Sequence, residues 1–164
     1  MTDRPTTSVL FVCLGNICRS PTAHGVFETL VERQGLSSSV LVDSCGTGRW
    51  HVGEAPDQRA TAEARKRGYD LSHLRARQVE LSDFERFDYI LGMDYMNLTD
   101  LRAMCPSSYG GHLGLFLPFA EGHSVEEVPD PYFGGDDGFT QVLDMIEAAS
   151  EGLLQEIRSA RPGG

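Results

Sequence analysis

Lysine is almost missing from this chain. Lys66 stands alone, and arginine supplies the rest of the positive charge. Acidic residues outnumber basic ones by 24 to 14, so the formal net charge is −10. That balance excludes nucleic acid and an anionic membrane surface as main partners. Long apolar runs are missing as well, which excludes a membrane-spanning helix. The opening residues, MTDRPTTSVLF, lack a basic region followed by an apolar stretch and a small-residue cleavage site. A secretory leader is therefore not expected, and a cytoplasmic location is. Paired metal-ligand motifs are absent too. Of the four cysteines, Cys13 and Cys18 lie five apart, with no second tight Cys or His pair to complete a tetrahedral metal centre. In that compartment the cysteines read as thiols rather than a disulfide framework.

What is present is a regular alternation. SVLFVCL (8–14) reads as a buried strand, followed by a helix from Pro21 to Gln34. Ser20 suits its N-cap, Pro21 its first position and Gly35 its stop. VLVDSC (40–45) is a second strand and PDQRATAEARKRG (56–68) a second helix. FDYILGM (87–93) is a third strand, with a helix from about Tyr95 to Met104 and Asp94 as its cap. HLGLF (112–116) is a fourth strand, and a last helix begins near Phe139 with apolar residues in register through Ile157. The 164 residues suit one domain, with a core at about 8–158 and frayed ends. Strand–helix alternation predicts an α/β three-layer sandwich: a four-stranded parallel sheet, Rossmann-like, with helices on both faces. Ligands then bind beyond the carboxyl ends of the strands.

Cys13 to Ser20 lies at such an end. The loop runs into a helix N-terminus, where unpaired N–H groups and the helix dipole attract an anion. Gly15 allows a sharp turn, and Asn16 tolerates a left-handed backbone. Successive N–H groups can then converge on one centre. Arg19 adds a planar fork that matches two phosphate oxygens. Cys13 opens the loop in a field that favours its thiolate, and Ser20 is placed to hydrogen-bond the sulfur. A sulfur nucleophile at the base of an anion cradle implies attack on phosphorus and a phospho-cysteine. A leaving alkoxide or phenoxide needs a proton, and Asp130 in VPDPYFGG (128–135) is the candidate acid, projected from a loop by Pro131. Cys18 reads either as loop packing or as a thiol able to trap Cys13 in a reversible disulfide. Cys45 and Cys105 read as structural.

Over roughly 8–158 the chain resembles the low-molecular-weight protein tyrosine phosphatases. The resemblance rests on C-x5-R-S at Cys13 to Ser20, D-P-Y at Asp130 to Tyr132, LSHLRARQ (71–78), GMDYMNL (92–98) and GTGRWHVGE (46–54), in the family's order. It implies the phosphotyrosine phosphatase I fold and hydrolysis of phosphotyrosine monoesters. Cys13 would be the nucleophile, Arg19 the phosphate ligand and Asp130 the general acid and base. Leu14, Gly15, Asn16, Ile17, Cys18 and Ser20 would form the phosphate-binding loop, with His73 and Asp94 supporting it. Trp50, Tyr132 and Phe133 would form the substrate rim. The resemblance implies no metal or organic cofactor, phosphotyrosine proteins or peptides as partners, and inorganic phosphate as product and inhibitor. A monomer is the expected state, with weak self-association through the rim left open.

Two relatives of the same chemistry compete. Protein-arginine phosphatases resemble the chain but tend to carry threonine where it has Ile17, and a bulky apolar residue suits an aromatic leaving group better than a guanidinium. Thiol-coupled arsenate reductases need two further paired cysteines downstream. Only Cys45 and Cys105 are there, far apart.

Overall fold

The computed structural model describes residues 7–122, 125–131 and 137–160. Four parallel strands, β1 (Thr7–Cys13), β2 (Val40–Gly46), β3 (Tyr89–Gly92) and β4 (His112–Leu115), lie in the order β2-β1-β3-β4. β1 is central. It pairs with β2 from Thr7↔Val40 to Cys13↔Gly46, and with β3 from Val9↔Tyr89 to Val12↔Gly92. The carboxyl ends of these three strands therefore finish level, and their loops gather on one edge of the sheet.

Both faces are covered, which is why β1 is apolar without alternation. On one side Val9 and Phe11 pack with Val26, Phe27 and Val31 of α1 (Arg19–Arg33). The same side holds Leu143, Ile146 and Leu153 of α5 (Asp137–Ala160). The Phe11 ring meets Phe27 and Phe116 edge-on, with centroids 5.7 and 4.9 Å away. On the other side Leu10 and Val12 pack with Phe84 of α3 (Asp83–Arg86) and Leu101 of α4 (Tyr95–Met104). α2 (Gln58–Lys66) packs against α1 and α5. The three-layer α/β architecture is the one the alternation predicted.

Several boundaries moved. β1 ends at Cys13, so Leu14 opens the loop and is 41% exposed. α1 starts two residues before the predicted Pro21, and its cap position is Cys18, with no side-chain capping bond. Ser20 is thus inside the first turn and its hydroxyl is free for other work. Pro21 is third in the helix, where an N–H still has no helical partner. α2 starts two residues after the predicted Pro56, because Asp57 accepts from the N–H groups of Arg59 and Ala60 and fixes the cap. α3 and a 3-10 turn at Leu117–Phe119 were not foreseen. Gly35 ends α1 with φ of +70°, as expected of a glycine beyond a cap.

α5 crosses the 3-10 turn at Gly152. A Cβ on Gly152 would lie 1.8 Å from the carbonyl oxygen of Phe119. Backbone cannot rotate aside as a side chain can. Gly152→Ala is therefore expected to cost at least about 2 kcal/mol, a fall in thermal midpoint of roughly 4–8 °C. Calorimetry checks this, and an unchanged midpoint would mean that α5 and the turn are not held in contact.

Candidate active site

Cys13 is the last residue of β1, and Leu14 to Cys18 connect it directly to α1. The turn is made at Asn16, which takes φ of +58°, the single left-handed non-glycine among the described residues. Gly15 does not share that conformation, so its expected role as the flexible hinge is corrected. Its value is space: a Cβ there would come within 2.9 Å of the His51 ring. Gly46, beneath the loop, has the same kind of reason. A Cβ on it would lie 2.6 Å from the carbonyl oxygen of Leu14.

The loop closes around sulfur. The backbone N–H groups of Asn16 and Ser20 point at Cys13 Sγ, with N···S distances of 3.3 and 3.4 Å. The Ser20 hydroxyl lies 2.9 Å from the same sulfur. Asn16 Nδ2 donates to Ser20 Oγ at 2.7 Å, and Asn16 Oδ1 accepts the N–H of Arg77 at 3.0 Å. Three donors are thus available to a thiolate, and the Asn16 side chain pins the loop to a neighbouring segment.

Arg19 is 3% exposed. Its Nη1 donates to Asp94 Oδ2 at 2.7 Å and to the carbonyl of Val128 at 2.9 Å. Its Nη2 lies 4.0 Å from Asp130 Oδ2. Burial works against the charge, but Cys13, Asp94 and Asp130 outweigh it and hold the guanidinium above its ordinary pKa. Asp94 serves two elements. Its Oδ1 caps α4 by accepting the N–H of Asn97 at 2.8 Å, while Oδ2 holds Arg19. Asn97 Oδ1 returns the bond to the N–H of Asp94, completing a capping box. Cys18 is pushed well above the ordinary thiol range by burial, then by Asp57, Cys13 and Asp130, so it stays protonated.

Cys13, Leu14, Gly15, Ile17, Cys18, Arg19, Trp50, His51 and Asp130 line one pocket. Sulfur lies at a helix N-terminus beside a cation, with a carboxyl on the wall. A family profile described as low molecular weight phosphotyrosine protein phosphatase matches residues 8–162. The chain belongs to that family. It is 44% identical over 162 residues to a low molecular weight protein-tyrosine-phosphatase of Streptomyces coelicolor, covering 96% of this chain and 98% of the relative. A crystal structure of a protein tyrosine phosphatase from Entamoeba histolytica superposes with a TM-score of 0.90 at 38% identity, covering 94% of this chain and 98% of that one. A Drosophila arginine phosphatase superposes with a TM-score of 0.86 at 33% identity, covering 93% and 98%.

Not every residue expected at the phosphatase site is there. His73 was expected to support the loop beside Asn16 and Ser20. Its side chain is instead 58% exposed, and its Nε2 lies 3.9 Å from Glu28 Oε1. The segment is threaded so that Leu71 and Leu74 enter the core, which turns the histidine between them to solvent. The support comes from Arg77, whose N–H holds Asn16 and whose guanidinium is fixed by Asp43 and Asp83 at 3.1 and 3.0 Å. The LSHLRARQ motif marked the segment without marking its backbone donor. Trp50 is 69% exposed at the pocket mouth, which excludes a core-covering role. His51 also lines the pocket, its Nδ1 2.9 Å from Glu54 Oε1. Its ring above Gly15 gave no periodic signal. Tyr132 and Phe133 lie outside the described residues. Among the described residues no three His, Cys, Asp or Glu side chains come together as a metal site.

Proposed function

We propose that this phosphatase hydrolyses phosphotyrosine monoesters in two steps, with the phosphoryl group carried on Cys13 between them. The observation that carries the reading is one pocket holding the Cys13 sulfur, Arg19 and Asp130, with two backbone N–H groups aimed at that sulfur. Phosphate enters the cradle formed by Leu14, Gly15, Asn16, Ile17, Cys18, Arg19 and Ser20 at the N-terminus of α1. Sγ attacks phosphorus, and an S–P bond forms as the bond to the phenolic oxygen breaks. Asp130 gives its proton to that oxygen. Arg19 and the loop N–H groups meet the charge on the three other oxygens. Water then attacks phosphorus, and Asp130 takes its proton. The S–P bond breaks with its electrons returning to sulfur, and inorganic phosphate leaves. As the product it competes for the same cradle.

Leu14, Ile17 and Trp50 favour an aromatic leaving group, since together they offer apolar surface at the pocket. Phosphoserine would leave its phosphate short of the loop. All four cysteines are free, which suits a reducing cytoplasm, and among the described residues no helix is long and apolar enough to cross a membrane. The test is phosphate release from a phosphotyrosine peptide, with phosphoserine and phosphoarginine peptides in parallel and no added metal. Turnover is expected on phosphotyrosine, slowed by a factor of about 10²–10⁴ in Asp130→Ala. Preferential release from phosphoarginine would sink the aromatic assignment.

A further inference from the structure

The segment ahead of Asp130 is held unusually firmly for an exposed loop. Val128 is fully buried, its N–H donating to the carbonyl of Met93 at 2.8 Å and its own carbonyl accepting from Arg19. The two residues before it both bind Tyr95, the first residue of α4. Glu127 Oε2 accepts the Tyr95 N–H at 2.8 Å, and Glu126 Oε1 accepts the Tyr95 hydroxyl. The Tyr95 N–H is one of the donors a helix start leaves unpaired, and Asp94 is already occupied with Asn97 and Arg19. A carboxylate at that position also meets the positive end of the α4 dipole. Bonds from three separate places thus converge on residues 126–128, two positions before Asp130.

We propose that Tyr95 is a positioning residue for Asp130, clamping the acid's loop to α4 through Glu126 and Glu127. The proposal rests on Asp130 being the general acid of this phosphatase. The clamp holds the Asp130 carboxyl where the leaving oxygen departs. Without it the loop stays attached at Val128 but the carboxyl is less well aimed. Proton transfer is sensitive to that aim, whereas attack by sulfur is not.

The test compares wild type, Tyr95→Phe, Glu127→Ala and the double variant on two aryl phosphates, one with an acidic nitrophenol and one with unsubstituted phenol as leaving group. A misplaced acid harms the poor leaving group most. The double variant is expected to lower kcat/KM for phenyl phosphate relative to nitrophenyl phosphate by about tenfold. In an Asp130→Ala background the same pair of substitutions is expected to add nothing, because the group they aim is gone. Equal losses on both substrates, no loss, or a further loss in the Asp130→Ala background would overturn the clamp. Asp130→Ala alone separates the two layers. If it shows no leaving-group dependence, the acid assignment fails and takes the clamp with it. If it does and the clamp variants do not, only the clamp fails. Glu126→Ala, at an exposed position, gives a second route to the hydroxyl contact, and a thermal scan confirms folding.

Discussion

Cys13→Ser is expected to remove turnover on a phosphotyrosine peptide while leaving inorganic phosphate bound as tightly as in the wild type. The substitution is nearly isosteric, so the cradle survives. Asn16 and Ser20 still present their N–H groups, and Arg19 keeps its bonds to Asp94 and Val128. What is lost is the nucleophile proposed above. A serine hydroxyl in this cradle is a poor nucleophile, because it holds its proton at neutral pH where a thiol gives one up far more readily, and in the first step the Asp130 carboxyl of the same pocket is protonated to serve as the acid. Loss of a covalent nucleophile typically costs on the order of 10⁶ in kcat. Steady-state rates and phosphate titration read the two halves separately. Residual turnover above about one part in 10³ would rule out Cys13 as the attacking group.

Arg19→Lys carries the second large effect. Charge is retained, so electrostatics alone predicts a mild outcome. Geometry predicts otherwise. One guanidinium nitrogen is committed to Asp94 and the Val128 carbonyl, leaving the remainder of the fork to face the pocket. An ammonium group cannot do both from one stem. If it holds Asp94, it leaves the phosphate; if it reaches for phosphate, it strands a carboxylate that is 21% exposed. The expected loss is about 10²–10³ in kcat, with KM for the peptide rising less. A loss under about threefold would show that charge, not the fork, is what the site needs from residue 19.

Some of this site was legible from residue types alone. Asp94 before Tyr95-Met96-Asn97 gives the start of α4 correctly, because cap and return bond both come from side chains. Its end is also legible, since Pro106 forces Cys105 out of helical geometry. Asn16 at the left-handed position follows from the few side chains that tolerate it. Ser20 misled for a physical reason. A serine before a proline has the form of a helix cap, but the helix already begins at Arg19 and the hydroxyl turns to sulfur. His73 misled because residue type says nothing about which of several adjacent side chains a threaded loop turns inward. The groups that complete the site, the donating Arg77 N–H and the accepting Val128 carbonyl, are backbone groups with no sequence signature. α3 and the 3-10 turn are too short to show a period.

The Ser20 hydroxyl has one proton and three neighbours. It receives from Asn16 Nδ2, so its proton has two destinations: Cys13 Sγ at 2.9 Å and the Cys45 carbonyl at 3.3 Å. A negative sulfur draws the proton, because a bond to a charged acceptor is the stronger one. In the two-step reaction proposed above, a sulfur carrying a phosphoryl group would have lost that charge, and the proton would be better placed on the carbonyl. The two acceptors are separated by one rotation about the Cβ–Oγ bond. In that proposed reaction the rotation would follow the loading of the sulfur, with no movement of the chain around it.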